Sequence, residues 1–65
     1  MLELMYKSDD SDFFTKGQVY FAFDGSLETN VVVSDDNNFP HHLSSDFIKE
    51  NFEVVSGHYY GQEED

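Results

Sequence analysis

The sequence predicts a small, mainly all-β protein: four or five short strands closing into a highly bent antiparallel barrel, with one short helical turn before the last strand. Three observations predict it. Apolar residues alternate with period two over residues 2–6 and again over 18–23, as a half-buried strand requires. Three consecutive valines, Val31 to Val33, favour β structure through their branched side chains. Asp, Asn and Gly cluster between these segments, where tight turns need them. For 65 residues, closing the sheet on itself is an economical way to reduce exposed edges. An open sheet with one helix packed on it is the alternative.

The elements follow in order. Leu2, Leu4 and Tyr6 share one face of a first strand. Lys7 to Asp12 is a polar, acidic loop, and Phe13 and Phe14 would anchor it back onto the core. Thr15-Lys16-Gly17 turns into a second strand, Gln18 to Phe23. There Val19, Phe21 and Phe23 lie on one face, expected to be buried, and Tyr20 and Ala22 on the other. Asp24-Gly25 is a hairpin signal, because glycine reaches positive φ without steric cost. A third strand covers Thr29 to Ser34, and Asp35 to Asn38 turn the chain. Phe39 to Leu43 makes a short strand that Pro40 confines to an edge or a bulge. Ser44, Ser45 and Asp46 supply N-cap residues for about a turn of helix over 47–51. Phe52 to Val55 is the last strand, ended by Ser56-Gly57. The expected core is Leu4, Phe14, Val19, Phe21, Val31, Val33, Leu43, Phe47, Ile48, Phe52 and Val54. Residues 1–56 make one domain, and 57–65 an acidic, partly frayed tail in which Tyr59 and Tyr60 are able to dock.

Composition narrows the function classes. A chain this short buries only roughly 60% of its unfolded surface, and without cysteine no disulfide or thiolate site staples it. The lack of cysteine fits a reducing cytoplasm, and the N-terminus lacks the basic flank and apolar run of a signal peptide. No apolar run approaches the roughly 20 residues of a membrane span. The expectation is a soluble, cytoplasmic protein. Fourteen acids against three lysines leave a net charge of −11. Such a balance opposes compaction and disfavours direct contact with nucleic acid or anionic lipid. Acidic chains with few aromatics are usually disordered, but seven Phe and four Tyr require a core, so this chain is expected to fold.

The residues for chemistry are weakly arranged. The acids fall in turns and at the tail, where solvent keeps them ionised rather than poised as acid and base. The loop from Asp9 or Asp10 starts like a calcium loop but runs into Phe13-Phe14 and ends without the required Glu. His41 and His42, adjacent on a strand, point to opposite faces, and His58 is distant, so no metal site is expected. No nucleophile motif and no Gly-rich phosphate loop is present. The chain reads as a binding protein with no cofactor, not as an enzyme.

The acid itself carries the sharpest expectation. DNA presents one negative charge per about 1.7 Å of axis, and alternate strand residues lie about 6.6 Å apart on one face. A rigid β scaffold is therefore able to hold carboxylates in a phosphate-like string. The acids available are Asp9, Asp10, Asp12, Asp24, Glu28, Asp35, Asp36, Asp46, Glu50 and Glu53, with Glu63 to Asp65 as an adjustable tail. The partner would then be a basic DNA-binding protein whose nucleic-acid surface is occupied. The alternative is a non-mimic interaction module: an aromatic patch of Tyr20, Tyr59 and Tyr60 (with Phe13 nearby in composition) ringed by acids and facing a basic protein. A homodimer formed through edge strands is a further alternative that would double the acidic surface.

The pattern F-x-K-G-x-V-Y at Phe14 to Tyr20, the valine strand followed by Asp35-Asp36, and S-x-x-F-I-x-x-x-F-E-V-V at Ser44 to Val55 resemble small proteins of tailed bacteriophages. The resemblance covers residues 13–55 and implies an SH3-like barrel with a helical turn before the last strand. It also implies a host-factor inhibitor of the DNA-mimic type, acting in the host cytoplasm. Targets of such proteins include the bacterial histone-like protein HU, restriction enzymes and uracil-DNA glycosylase.

Overall fold

In the computed structural model, which describes residues 2–24 and 30–59, the alternation of the N-terminal segment becomes strand β1 (Leu2–Tyr6), with Leu2, Leu4 and Tyr6 buried and Glu3 and Met5 half-exposed between them. Four further strands follow: β2 (Val19–Asp24), β3 (Asn30–Ser34), β4 (Pro40–Ser44) and β5 (Phe52–Ser56). A seven-residue helix, α1 (Ser45–Asn51), sits between the last two. All pairings are antiparallel, in the order β4-β3-β2-β1-β5. This is the expected SH3-like arrangement, with the helix before the last strand. Among the described residues β4 and β5 do not pair with each other, and α1 contacts both, spanning the seam.

Register decides which side chains meet inside. Leu4 stands between Tyr20 of β2 and Val54 of β5, and Ala22 stands between Leu2 and Val33. Tyr6 faces Phe52. At Glu3–Leu4 the β1–β5 register shifts by one residue, so Val55 is the extra residue of a bulge. Such a bulge bends its strand and helps a short sheet curl.

Phe14 plugs the barrel from the loop between β1 and β2. Its ring lies 5.1 Å from Tyr20, 5.2 Å from Phe52 and 5.4 Å from Tyr6, the first two edge-on, a favoured aromatic geometry. The loop holds the ring in place through its own bonds. Ser11 Oγ accepts from the backbone N–H of Phe14, Asp10 Oδ1 accepts from Lys16 N, and Gly17 N donates to Tyr6 O. Gly17 makes this turn at φ +87°, a conformation that disfavours a Cβ. Ser8 Oγ bonds Asn51 Oδ1 at 2.7 Å, tying the loop to the end of α1.

The 35–38 turn and α1 form close to where the sequence places them. Ser44 caps α1 by accepting from Phe47 N, and Asn38 takes the left-handed conformation at φ 66°. Pro40 opens β4, an edge strand. The hairpin expected at Asp24-Gly25 falls at the boundary of the described residues, and its Gly25 lies outside them.

Three expectations about the core need correction. Val19 and Phe21 are exposed, not buried, and so is Phe23 on the same face; β2 presents Tyr20 and Ala22 to the interior instead. Between Leu2 and Val33 the interior position of β2 is taken by the small Ala22, and small barrels often alternate small and large side chains inside. Phe47 is also exposed: a seven-residue helix turns a single buried side chain inward, and that is Ile48. Phe13 is exposed beside His41, with ring centroids 4.7 Å apart, and Phe14 alone anchors the loop. Tyr59 is buried in the core, the docking that the sequence allowed for it.

Candidate functional site: an apolar strand face on an acidic barrel

The outward face of β2 carries Val19, Phe21 and Phe23, which are 48, 64 and 62% exposed. Residues two apart on a strand point the same way, so the three form one row about 13 Å long. Their cross-strand neighbours share that outward face. Met5 stands opposite Val19, Glu3 opposite Phe21, and Val32 opposite Phe23. Val32 is buried although it points away from the main core cluster, so the outward face shelters apolar surface of its own. Beyond Met5 lies Glu53 on β5, so Glu3 and Glu53 edge the row on its β1 and β5 side. None of the three lysines lies on a strand: Lys7 and Lys16 are in the first loop and Lys49 is on α1.

A cleft of about 480 Å³ opens beside Phe21 and Phe23, at one end of this row. Among the described residues it is lined by Leu2, Phe21, Ala22, Phe23, Ser34, Gly57 and His58. Its surface is mainly apolar, with polar atoms from Ser34 and His58 in the minority.

The predicted aromatic patch does not assemble as expected. Tyr20 is buried, its ring against Phe14 and its hydroxyl in a hydrogen-bond bridge. That hydroxyl donates to Asp36 Oδ1 at 2.6 Å and accepts from Thr15 N at 2.7 Å. Burial, together with the bond to Asp36, raises its pKa. Tyr59 is buried as well, and Tyr60 lies outside the described residues. Among the described Phe and Tyr rings, the exposed ones are all phenylalanines: Phe21 and Phe23 on the opposite face of the strand that carries Tyr20, and Phe13, Phe39 and Phe47 elsewhere.

The acids divide into two groups. Asp35 and Asp36 belong to the scaffold. Asp35 is only 7% exposed; its Oδ1 accepts from Asn37 N and Phe39 N, and its Oδ2 accepts from His41 Nε2 at 2.7 Å. The bond from His41 lowers the Asp35 pKa; burial opposes this, and the two backbone donors reinforce it. Asp36 accepts from Tyr20 and from Thr15 Oγ1. The second group faces solvent: Asp9, Asp10 and Asp12 in the first loop, Asp46 and Glu50 on α1, and Glu53 on β5. The contact between Asp9 and Lys16 is 3.9 Å long and exposed, a geometry worth little. Asp24 ends β2, while Glu28 and Glu63 to Asp65 lie outside the described residues.

Sequence reasoning missed Phe21 and Phe23 as surface residues because either face of β2 is apolar enough to be read as the buried one. The one signal was Ala22, whose small side chain suits a crowded interior position. His41 and His42 do lie on opposite faces, His41 bonded to Asp35 and His42 exposed. Among the described residues no three His, Asp or Glu side chains converge as metal ligands would, and no helix is long and apolar enough to cross a membrane. Compared with known protein families, curated proteins and solved structures, the chain shows no significant match.

Proposed function

We propose that this chain is a protein-binding module without chemistry of its own, which docks a basic protein through the outward face of β2. The exposed row Val19–Phe21–Phe23 on a hydrogen-bonded strand carries the reading. Soluble monomers seldom expose contiguous apolar surface of this kind except where something binds. Aromatic anchors at the centre and charges at the rim match the anatomy of protein interfaces. The net charge of −11 selects the sign of the partner and speeds its approach.

The narrower form of this reading is that the partner is a DNA-binding protein and the carboxylates stand where phosphates would. It draws on the solvent-facing acids of the first loop, α1 and β5, because Asp35 and Asp36 are engaged within the fold. Both forms need a rigid scaffold, which the bonded first loop and the five-stranded sheet supply.

The test is binding to purified basic DNA-binding proteins, with and without competing duplex DNA, across a salt series. The module reading expects affinity that weakens with salt and falls at least tenfold in the Phe21→Ser/Phe23→Ser double variant. The narrower form expects, in addition, that DNA and this protein exclude each other from the partner. Affinity untouched by the double substitution would remove the β2 face from the interface, and affinity indifferent to salt would remove the acids.

A further inference from the structure

The cleft beside Phe21 and Phe23 has a size and lining that say more about the partner than its charge. We infer that this cleft takes one large apolar side chain, aromatic or branched aliphatic, presented by a segment whose neighbouring residues are cationic. The inference rests on the reading of the β2 face as a docking surface and specifies what enters it.

The cleft falls at the lower end of volumes that hold a ligand, and one side chain with its flanking backbone fits such a space. The exposed Phe21 and Phe23 rings line it, with Leu2 and Ala22 of the same two strands, whose side chains face the core, beside them. Among the described residues, the acidic and lysine side chains on this face carry one sign. Glu3 is the cross-strand partner of Phe21, Glu53 lies one strand further along the same face, and no lysine sits on any strand. A lysine or arginine flanking the anchor would meet Glu3 beside Phe21, and one further along the segment would meet Glu53, level with Val19 at the other end of the row.

Charge also decides against a second copy of this chain as occupant. Each copy carries −11, and a face-to-face pair would bring Glu3 and Glu53 of both into one low-dielectric interface without a compensating cation. A cationic partner gains from those groups instead.

Two short peptides test this on the full chain. One carries a central phenylalanine between lysines; its twin has alanine in place of phenylalanine. The phenylalanine peptide should bind about tenfold or more tightly than the twin, the ratio expected for burying one ring. Backbone amide shifts on its addition should centre on Phe21, Phe23, Ser34 and Gly57. The preference should vanish in Phe23→Ser, whose unchanged melting temperature shows that folding is not at issue, since the side chain is exposed. Equal binding of both peptides, with shifts confined to the acidic loop at 9–12, would overturn the anchor while leaving a module for basic partners standing. Binding of neither peptide at low salt would overturn both readings. Concentration-dependent broadening of the cleft amides without peptide, accompanied by a dimer in sedimentation, would assign the cleft to a second copy and sink the inference.

Discussion

Asp35 shows how a residue that looks like surface charge becomes structure. Its carboxylate closes the 35–38 turn by accepting two backbone N–H groups, and it holds His41 from the next strand. A buried acid with three donors is favoured in its charged form, so its pKa lies below the unfolded value of about 3.9. A group depressed in this way stabilises the fold fully above its unfolded pKa, and the contribution is lost as pH falls through the folded value. In Asp35→Asn the amide oxygen still accepts from Asn37 and Phe39, but the charge facing His41 is gone. The variant should therefore melt below the parent at neutral pH, and the gap should close below about pH 4. Protonation of the surface acids relieves repulsion in both proteins alike and cancels in the difference. A gap constant from pH 3 to pH 7 would mean that the ionised carboxylate contributes nothing beyond its shape. Tyr20 is the companion case: its hydroxyl bridges Thr15 and Asp36, which is why a tyrosine serves at an interior position of β2.

At the scale of elements, local chemistry and packing carry different weights. Helix α1 is specified locally. Seven residues are too few to be helical alone in water, yet Ser44 caps the first turn, Asp46 sits in that turn, Lys49 sits in the last, and Ile48 ties it to the core. Ser44→Ala should cost about 1 kcal/mol, a fall in melting temperature of about 4–8 °C for a domain of this size; a loss of less than 1 °C would show that tertiary contacts alone hold the helix. β1, the 35–38 turn, β4 and α1 were legible in the sequence to within a residue or two, because alternation, αL-tolerant residues, proline and a cap all act over a few positions. The orientation of β2 was not. Val19, Phe21 and Phe23 outweigh Tyr20 and Ala22 in apolar area, so its local pattern points to the wrong face. A one-residue change of register turns every side chain over, and the register is set by Leu2 and Leu4 across the strand.

The whole molecule balances a small core against its own charge. Eleven buried residues form one cluster, drawn from every strand but β4, from the first loop, from α1 and, with Tyr59, from the segment after β5; Leu43 of β4 and Val54 pack against it. Around it, most of the described acids remain in solvent. Their mutual repulsion opposes folding and is screened over about 10 Å at 0.1 M salt and about 3 Å at 1 M. The melting temperature should therefore rise by several degrees as sodium chloride increases from about 0.01 to about 0.5 M. A flat or falling profile would mean that the carboxylates are already compensated within the fold. The same charge that lowers stability at low salt is what draws a basic partner, so stability and affinity should respond to salt in opposite directions.

By itself, the sequence determined a small antiparallel β fold of four or five short strands, the place of its helix, and an acidic exterior, because strand period, turn chemistry and net charge are properties of short segments or of composition. Only the tertiary structure decided which face of β2 is inside, that Asp35 and Asp36 belong to the scaffold, and that Tyr20 and Tyr59 are core residues. Those outcomes depend on packing between strands distant in the chain: Leu2, Leu4 and Val33 meet Ala22 and Tyr20 across the sheet, the Tyr20 hydroxyl finds a partner in Asp36, and Phe21 and Phe23 are left outward.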